Sequence, residues 1–315
     1  MTMLPTPDHP LRIGTRASPL AMAQAHMAVA TLIASHGLDP QALEIVPVTA
    51  TGDKIQDRAL AEVGGKALWT RELDAMLDAG VIDVAVHSLK DVETIRDPRF
   101  HVAAMLERAD PRDRLVVRDG LEAQTIADLP QGARLGTSSP RRAAQVKKLR
   151  PDLETPLLRG NVATRLAKLN SGDCDATLLA AAGLDRLGMH DVGFAQSAEI
   201  LLPAASQGAI GIECRADDAA TRALVAAVDH EPTHRAVAAE RALLAALGGD
   251  CRSPVAAHAM WQDDGRLRLF AEIFSEDGAD HIGGATFVSD SADAEALGHR
   301  LLAQAPASVK RLFTV

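Results

Sequence analysis

Two short stretches carry residues that could do chemistry. The stretch Leu247 to Pro254, LGGDCRSP, sets Cys251 in a glycine turn with Arg252 beside it. A thiol so placed is accessible and its thiolate is favoured by the neighbouring cation, which suits a nucleophile or an attachment point. The same composition also suits a thiol tucked under its turn. The second stretch, VAVHSLKDV, ends an apolar strand in His87, Ser88, Lys90 and Asp91. A carboxylate there could move a proton or stabilise a developing cation; a Lys90–Asp91 surface pair or a turn cap is the alternative. The other cysteines, Cys174 and Cys214, flank apolar strand-like runs and read as small core hydrophobes. Three thiols without CxxC spacing predict neither a disulfide framework nor a zinc ribbon.

Three strand-to-helix junctions share a different composition. In IGTRASPLAMA, Ser18 is a helix N-cap, Pro19 takes the first helical position and Arg16 precedes the cap. In LGTSSPRRAAQ, Ser139 and Pro140 repeat the pattern with Arg141 and Arg142 in the first turn, and in LLRGNVATRLAKL, Asn161 caps between Arg159 and Arg165. Arginine in a first turn opposes the positive end of the helix, so an anion must compensate. Pairing with the chain's own Asp and Glu is one answer; a ligand with several negative groups is the other. Carboxylates fit bidentate guanidinium. The phosphate motifs GxxxxGK[ST] and GxGxxG are both missing from the sequence.

The elements that must position these groups read as α/β. Strand-like runs, among them 11–14, 43–48, 81–86, 101–106, 133–137, 155–159, 176–181 and 209–214, alternate with helix-period segments, which predicts largely parallel sheets. The segments 107–113 and 201–208, polar or rich in proline and glycine, read as domain crossings. After residue 231 come one long helix, three strand-like runs and a final helix, a small α+β domain with Cys251 at its helix-to-strand turn. The 315 residues exceed one usual core, and the expected division is 1–106 with 209–226, then 112–203, then 230–315.

With 47% hydrophobic and 24% charged residues the chain is an ordinary globular protein, and its formal charge of −9 argues against a nucleic-acid partner. Residues 134–165 nonetheless hold eight basic against two acidic side chains. The start has no basic-then-apolar leader and no run could span a membrane, so a cytoplasmic protein is expected. HEPTH, residues 230–234, matches the HExxH zinc motif in letters only: Pro232 is comfortable only at the start of a helix, so the two histidines do not share one helical face, and no metal is expected.

The stretches RIGTRASPLA, TGDK, GGKALWTREL, AVHSLKDV, LGTSSPRRAAQ, LRGNVATRLAKL, AAGLDRLG, LPAASQGAIGIECR and GGDCRSPVAAHA, in order from Arg12 to about His258, resemble the porphobilinogen deaminase family. The resemblance implies two periplasmic-binding-protein-like α/β lobes around a cleft, with a third domain delivering a cysteine. It implies an enzyme that joins four porphobilinogen molecules into hydroxymethylbilane with loss of ammonia, on one covalent dipyrromethane per chain. Cys251 matches the thioether cysteine and Asp91 the catalytic carboxylate. Lys90, Ser139, Arg141, Arg142 and Arg159, with Asp91, match residues around the cofactor. Arg16, Ser18, Lys66, Arg165, Arg186 and Gln207 match substrate partners. Asp250 stands where many relatives have a small residue, which bears on the turn and on thiol acidity. A monomer is implied. The competing class is a non-enzymatic two-lobed anion binder, which the fold alone permits. Trp69 has two readings: a cover over the cleft next to the Gly64-Gly65 pair, or one step of an apolar helix stripe with Leu73 and Leu77.

Overall fold

In the computed structural model, which describes residues 4–49, 69–249 and 253–313, the chain opens with β1 (Leu11–Arg16). Ser18 then caps α1 (Pro19–His36) by accepting the Ala21 amide at 3.3 Å, with proline at the first helical position. The helix ends on Gly37 at φ 63°, the left-handed cap only glycine enters without strain. There follow β2 (Leu43–Val48), α2 (Arg71–Asp78), β3 (Val84–Ser88) and β4 (Phe100–Met105).

The chain next builds β5 (Asp113–Val117), β6 (Leu135–Gly136), α3 (Pro140–Leu149), α4 (Val162–Asn170), β7 (Ala176–Ala180), α5 (Ala181–Arg186) and β8 (Phe194–Ala195). It returns as β9 (Ile210–Arg215) and α6 (Ala219–Ala226). Last come α7 (Glu231–Ala246), β10 (Val255–Trp261), β11 (Leu267–Phe274), β12 (His281–Val288), α8 (Ser291–Gln304) and α9 (Ala307–Lys310).

These elements make three sheets in two compact units. One unit, residues 69–109 and 209–235 with the described N-terminal part, holds the order β2-β1-β3-β9-β4. The other, 110–208 with the described residues from 236 on, holds β6-β7-β5-β8 and the antiparallel β10-β11-β12. The three-stranded sheet and helices α7 to α9 share an apolar core of their own, including Leu243, Leu269, Ile273 and Leu297.

The α/β class with a small antiparallel C-terminal sheet is as expected, but the first two sheets are mixed. β9 runs antiparallel to both β3 and β4, and β5 antiparallel to β7. Neighbours become parallel when a crossover helix packed on the same sheet joins them, and the helices between β4 and β9 all belong to the other unit. The run 155–159 forms only an isolated bridge at Leu157, because Pro156 has no N–H to extend the ladder. β5 lies at the end of the segment read as a crossing, where the polar DPRD hid the apolar Leu115, Val116 and Val117 behind it.

Candidate active site

Asp91 is held by the backbone that follows β3. Leu89 is fully buried and its amide donates to Ala209 O at 3.1 Å, fastening the turn Leu89–Asp91 to the start of β9. Gly211 makes that packing possible, since a Cβ there would fall 2.4 Å from Leu89 Cδ2. Asp91 thereby lines a pocket with Arg16, Ser18, Gln24, Trp69, Thr70, His87 and Ser88. Arg16 Nη1 stands 4.0 Å from Asp91 Oδ2, and its guanidinium lies over the Trp69 ring at 4.2 Å from the centroid. Trp69 precedes α2 rather than continuing its stripe; Leu73 and Leu77 alone are core.

Sequence reasoning missed Gln24 and Thr70 in this pocket, and Glu213 beside its His87. Gln24, buried in α1, exchanges hydrogen bonds with the Ser88 hydroxyl at 2.7 and 3.1 Å. His87 Nε2 approaches Glu213 Oε2 at 3.2 Å without hydrogen-bond alignment. Glu213 in turn receives two bonds from Arg96, at 2.7 and 2.6 Å. Burial pushes the Glu213 pKa up, but the hydrogen bonds from Arg96 and the closeness of His87 hold it at about 2. Thr70 donates to Glu93 at 3.0 Å, and Glu93 accepts from Arg96 at 2.9 Å. A polar residue at an apolar helix or strand position was the available signal for Gln24 and Glu213.

The arginine-rich junctions fold as their caps predict. Ser139 accepts the Arg142 amide at 3.4 Å and Asn161 the Thr164 amide at 2.9 Å. Gly160, at φ 121°, sits where a Cβ would fall 2.6 Å from Thr164 Cγ2, so only glycine turns the chain into that cap. The anion that compensates Arg141 and Arg142 is the chain's own Asp113. Arg141 Nη2 donates to its Oδ2 at 2.7 Å and Arg142 Nη2 to its Oδ1 at 2.6 Å. Burial alone would raise the Asp113 pKa, yet the two guanidiniums hold it well below the ordinary carboxylate range. Much of the remaining positive charge is also answered internally: Arg134 by Asp175, Lys148 by Glu272 and Arg150 by Asp152.

Other expected partners divide. Arg165 donates to Gly160 O at 2.9 Å and Ser138 Oγ at 3.2 Å, and Arg159 is buried. Arg186 donates to Gly208 O at 2.7 Å; burial draws its pKa down to about 10, and its Nε has no hydrogen-bond partner among the described residues. Gln207, almost fully buried, donates to Pro111 O at 2.7 Å and Asp113 Oδ1 at 2.8 Å. Lys90 is half-buried beside Asp91. Lys66, Asp250 and Cys251 lie outside the described residues, as do Gly64 and Gly65. Cys174 and Cys214 are buried, and burial raises both thiol pKa values, Cys214 to about 11. Neither is a nucleophile at neutral pH.

In HEPTH, His230 precedes α7 and bonds Thr233, while His234 bonds Asp229. No group of three or more His, Cys, Asp or Glu among the described residues could hold a metal ion.

Dipyrromethane carries acetate and propionate groups and pyrrole N–H donors, and the chain's side chains fit such a group. Buried guanidinium Nε–H groups of Arg141, Arg142 and Arg186 lack protein partners among the described residues and would donate to carboxylate oxygens. Asp91, 35% exposed at its side chain, offers an acceptor to pyrrole N–H.

Comparison with known proteins agrees with this donor chemistry. The family model described as porphobilinogen deaminase, dipyromethane cofactor binding domain, matches residues 11–223, and that of the porphobilinogen deaminase C-terminal domain matches 234–306. The porphobilinogen deaminase of Sphingopyxis alaskensis is 79% identical over 313 residues, covering 99% of each chain. That of Paracoccus denitrificans is 48% identical over 299 residues, covering 95% of this chain and 94% of its own. Among solved structures, the periplasmic VFT2 domain of Bordetella pertussis BvgS matches at 13% identity and TM-score 0.40, over 69% of this chain and 86% of that one. With both family models matched in order and a relative 79% identical along almost its whole length, the chain belongs to the porphobilinogen deaminase family.

Proposed function

We infer that the chain performs the reaction for which its family is named: four porphobilinogen molecules are joined head to tail, one ammonia leaving per unit, and one water then cleaves the four-ring chain from its primer and supplies the hydroxyl of hydroxymethylbilane. The observation that carries the reading is the meeting of Asp91 and Arg16 in one pocket, a carboxylate and a guanidinium 4.0 Å apart and both partly open to solvent. In each coupling the C–N bond of the substrate's aminomethyl group breaks and the amine leaves as ammonia. A C–C bond then forms to the α-carbon of the preceding pyrrole, and the proton on that carbon is lost.

Asp91 is the residue suited to these events. Its carboxylate accepts the pyrrole N–H, offsets positive charge as the amine departs and takes up the proton lost on coupling. Arg16 binds a substrate carboxylate while Trp69 backs its guanidinium. Ser18 and Lys90, with Lys66, complete the substrate contacts. Arg159, Arg165 and Arg186 hold further carboxylates, and Ser139, Arg141 and Arg142 those of the dipyrromethane. Cys251 is its point of attachment, the remaining thiol once Cys174 and Cys214 are set aside as buried. When bound, dipyrromethane supplies the pyrrole α-carbon to which the first substrate is joined.

The chain works as a cytoplasmic monomer in this account. No helix among the described residues is long and apolar enough to cross a membrane. Its division into 1–106 with 209–226, 112–203 and 230–315 is supported by separate apolar cores around the three sheets.

Asp91→Asn tests the reading. Turnover of porphobilinogen should fall about 10²-fold or more, the usual cost of removing an electrostatic catalytic group. Retention of above roughly a tenth of the rate, against that magnitude, would remove Asp91 from the chemistry.

A further inference from the structure

Asp113 is fully buried at the first residue of β5, and three side chains converge on it. Each oxygen takes one guanidinium: Oδ2 from Arg141 and Oδ1 from Arg142. Each guanidinium is also held from a second side by a main-chain carbonyl, Arg141 Nη1 by Leu202 O and Arg142 Nη1 by Leu178 O, both at 2.8 Å. Gln145 Oε1 adds a contact to Arg141 Nη1 at 2.9 Å. Two acceptors on different elements fix the plane of each fork. Yet the Nε–H of both arginines is buried without a protein acceptor among the described residues. An unsatisfied buried donor is costly unless a ligand accepts from it. The cluster also sets two guanidiniums against one carboxylate, leaving positive charge for an incoming anion.

Gln207 brings the chain segment after Leu202 into the same cluster. It donates to Asp113 and to Pro111 O, tying the turn at 204–208 to the segment that leads into β5. Ser206, beside it, holds φ 64°, a conformation uncommon outside glycine, while its amide donates to Glu240 at 2.7 Å. Strain at that residue persists because its neighbours over-determine it.

We propose that Asp113 is a positioning residue for ligand carboxylates: it sets the forks of Arg141 and Arg142, and Gln207 locks it to the turn at 204–208. This rests on the reading that the two arginines receive carboxylates of the dipyrromethane. Asp113 touches no ligand. It fixes where the charge of the arginines is presented.

The test uses Asp113→Asn in the full chain from a host that makes porphobilinogen, measuring by intact mass the fraction carrying a two-pyrrole adduct, together with KM, kcat per loaded chain and melting temperature. Adduct fraction should fall and KM rise, each about tenfold, the scale of one lost charge-assisted contact, with kcat per loaded chain nearly kept. A lowered melting temperature with normal loading and KM would make Asp113 structural only and overturn the proposal. Arg142→Gln, run beside it, separates the two readings. Normal loading in Arg142→Gln would overturn the arginine assignment, whereas impaired loading there with normal loading in Asp113→Asn would overturn the role of Asp113 alone. If Asp113→Asn does not fold, Asp113→Asn with Arg141→Gln relieves the surplus buried charge; against Arg141→Gln alone it should still lose adduct and raise KM, and equal values would overturn the proposal.

Discussion

Two regions of this chain use carboxylate and arginine in opposite ways. In the pocket beside β3, Asp91 is 35% exposed and Arg16 stands off at 4.0 Å. In the cluster at the start of β5, Asp113 is wholly buried and takes two guanidiniums at 2.7 and 2.6 Å. A carboxylate left partly open to water can receive a substrate's N–H. One sealed between two cations is a fixture of the fold, and withdrawing it strands those cations. The same pairing chemistry therefore yields a reagent in one place and a scaffold in the other, and burial decides which.

Glu213 sharpens the comparison, because it is a sealed carboxylate in the unit that carries the open pocket. Glu213→Gln takes one charged partner from Arg96, which keeps Asp74 and Glu93, and should lower the melting temperature at neutral pH by on the order of 5 °C, the scale of lost charge-assisted hydrogen bonds. Asp91→Asn should leave it almost unchanged. The pH dependence has a defined sign. Glu213 is held at about 2, below its ordinary 4.5, so its pairing contributes stability that is complete above pH 4.5 and fades as the pH falls toward 2. The gap in melting temperature between wild type and Glu213→Gln should close over that window. A gap constant with pH would show that Glu213 is not the ionised partner.

A smaller effect is expected at Trp69, one of two tryptophans. In a Trp261→Phe chain it reports alone. Its ring lies on Arg16 in the pocket, so adding porphobilinogen should shift its emission and reduce quenching by iodide. An unchanged spectrum through turnover would place the open region elsewhere.

What the sequence disclosed follows the same division. Caps, strands and turns are local, and Ser18, Ser139 and Asn161 cap the helices their spacing indicates. The position of Asp91 after a buried strand was equally legible. Partnership at long range was not. Asp113 lies 28 residues from Arg141 in a stretch that reads as a linker, and nothing in DPRD announces a buried counterion. Gln24 and Ser88 are 64 residues apart, and Arg96 and Glu213 are 117 apart. The need for an anion at the first turn of α3 could be deduced; its source in the protein itself could not, because only the fold brings β5 beneath that helix. The antiparallel entry of β9 was hidden likewise, since a strand's own residues carry no direction.

The central claim is that this chain builds tetrapyrrole on a dipyrromethane fixed to Cys251, and intact mass tests it most directly. Wild-type chain purified from a host that makes porphobilinogen should be heavier than its sequence by one two-pyrrole adduct, and Cys251→Ser should have the bare sequence mass and form no tetrapyrrole. An unmodified wild-type chain, or an adduct that persists in Cys251→Ser, would contradict the account.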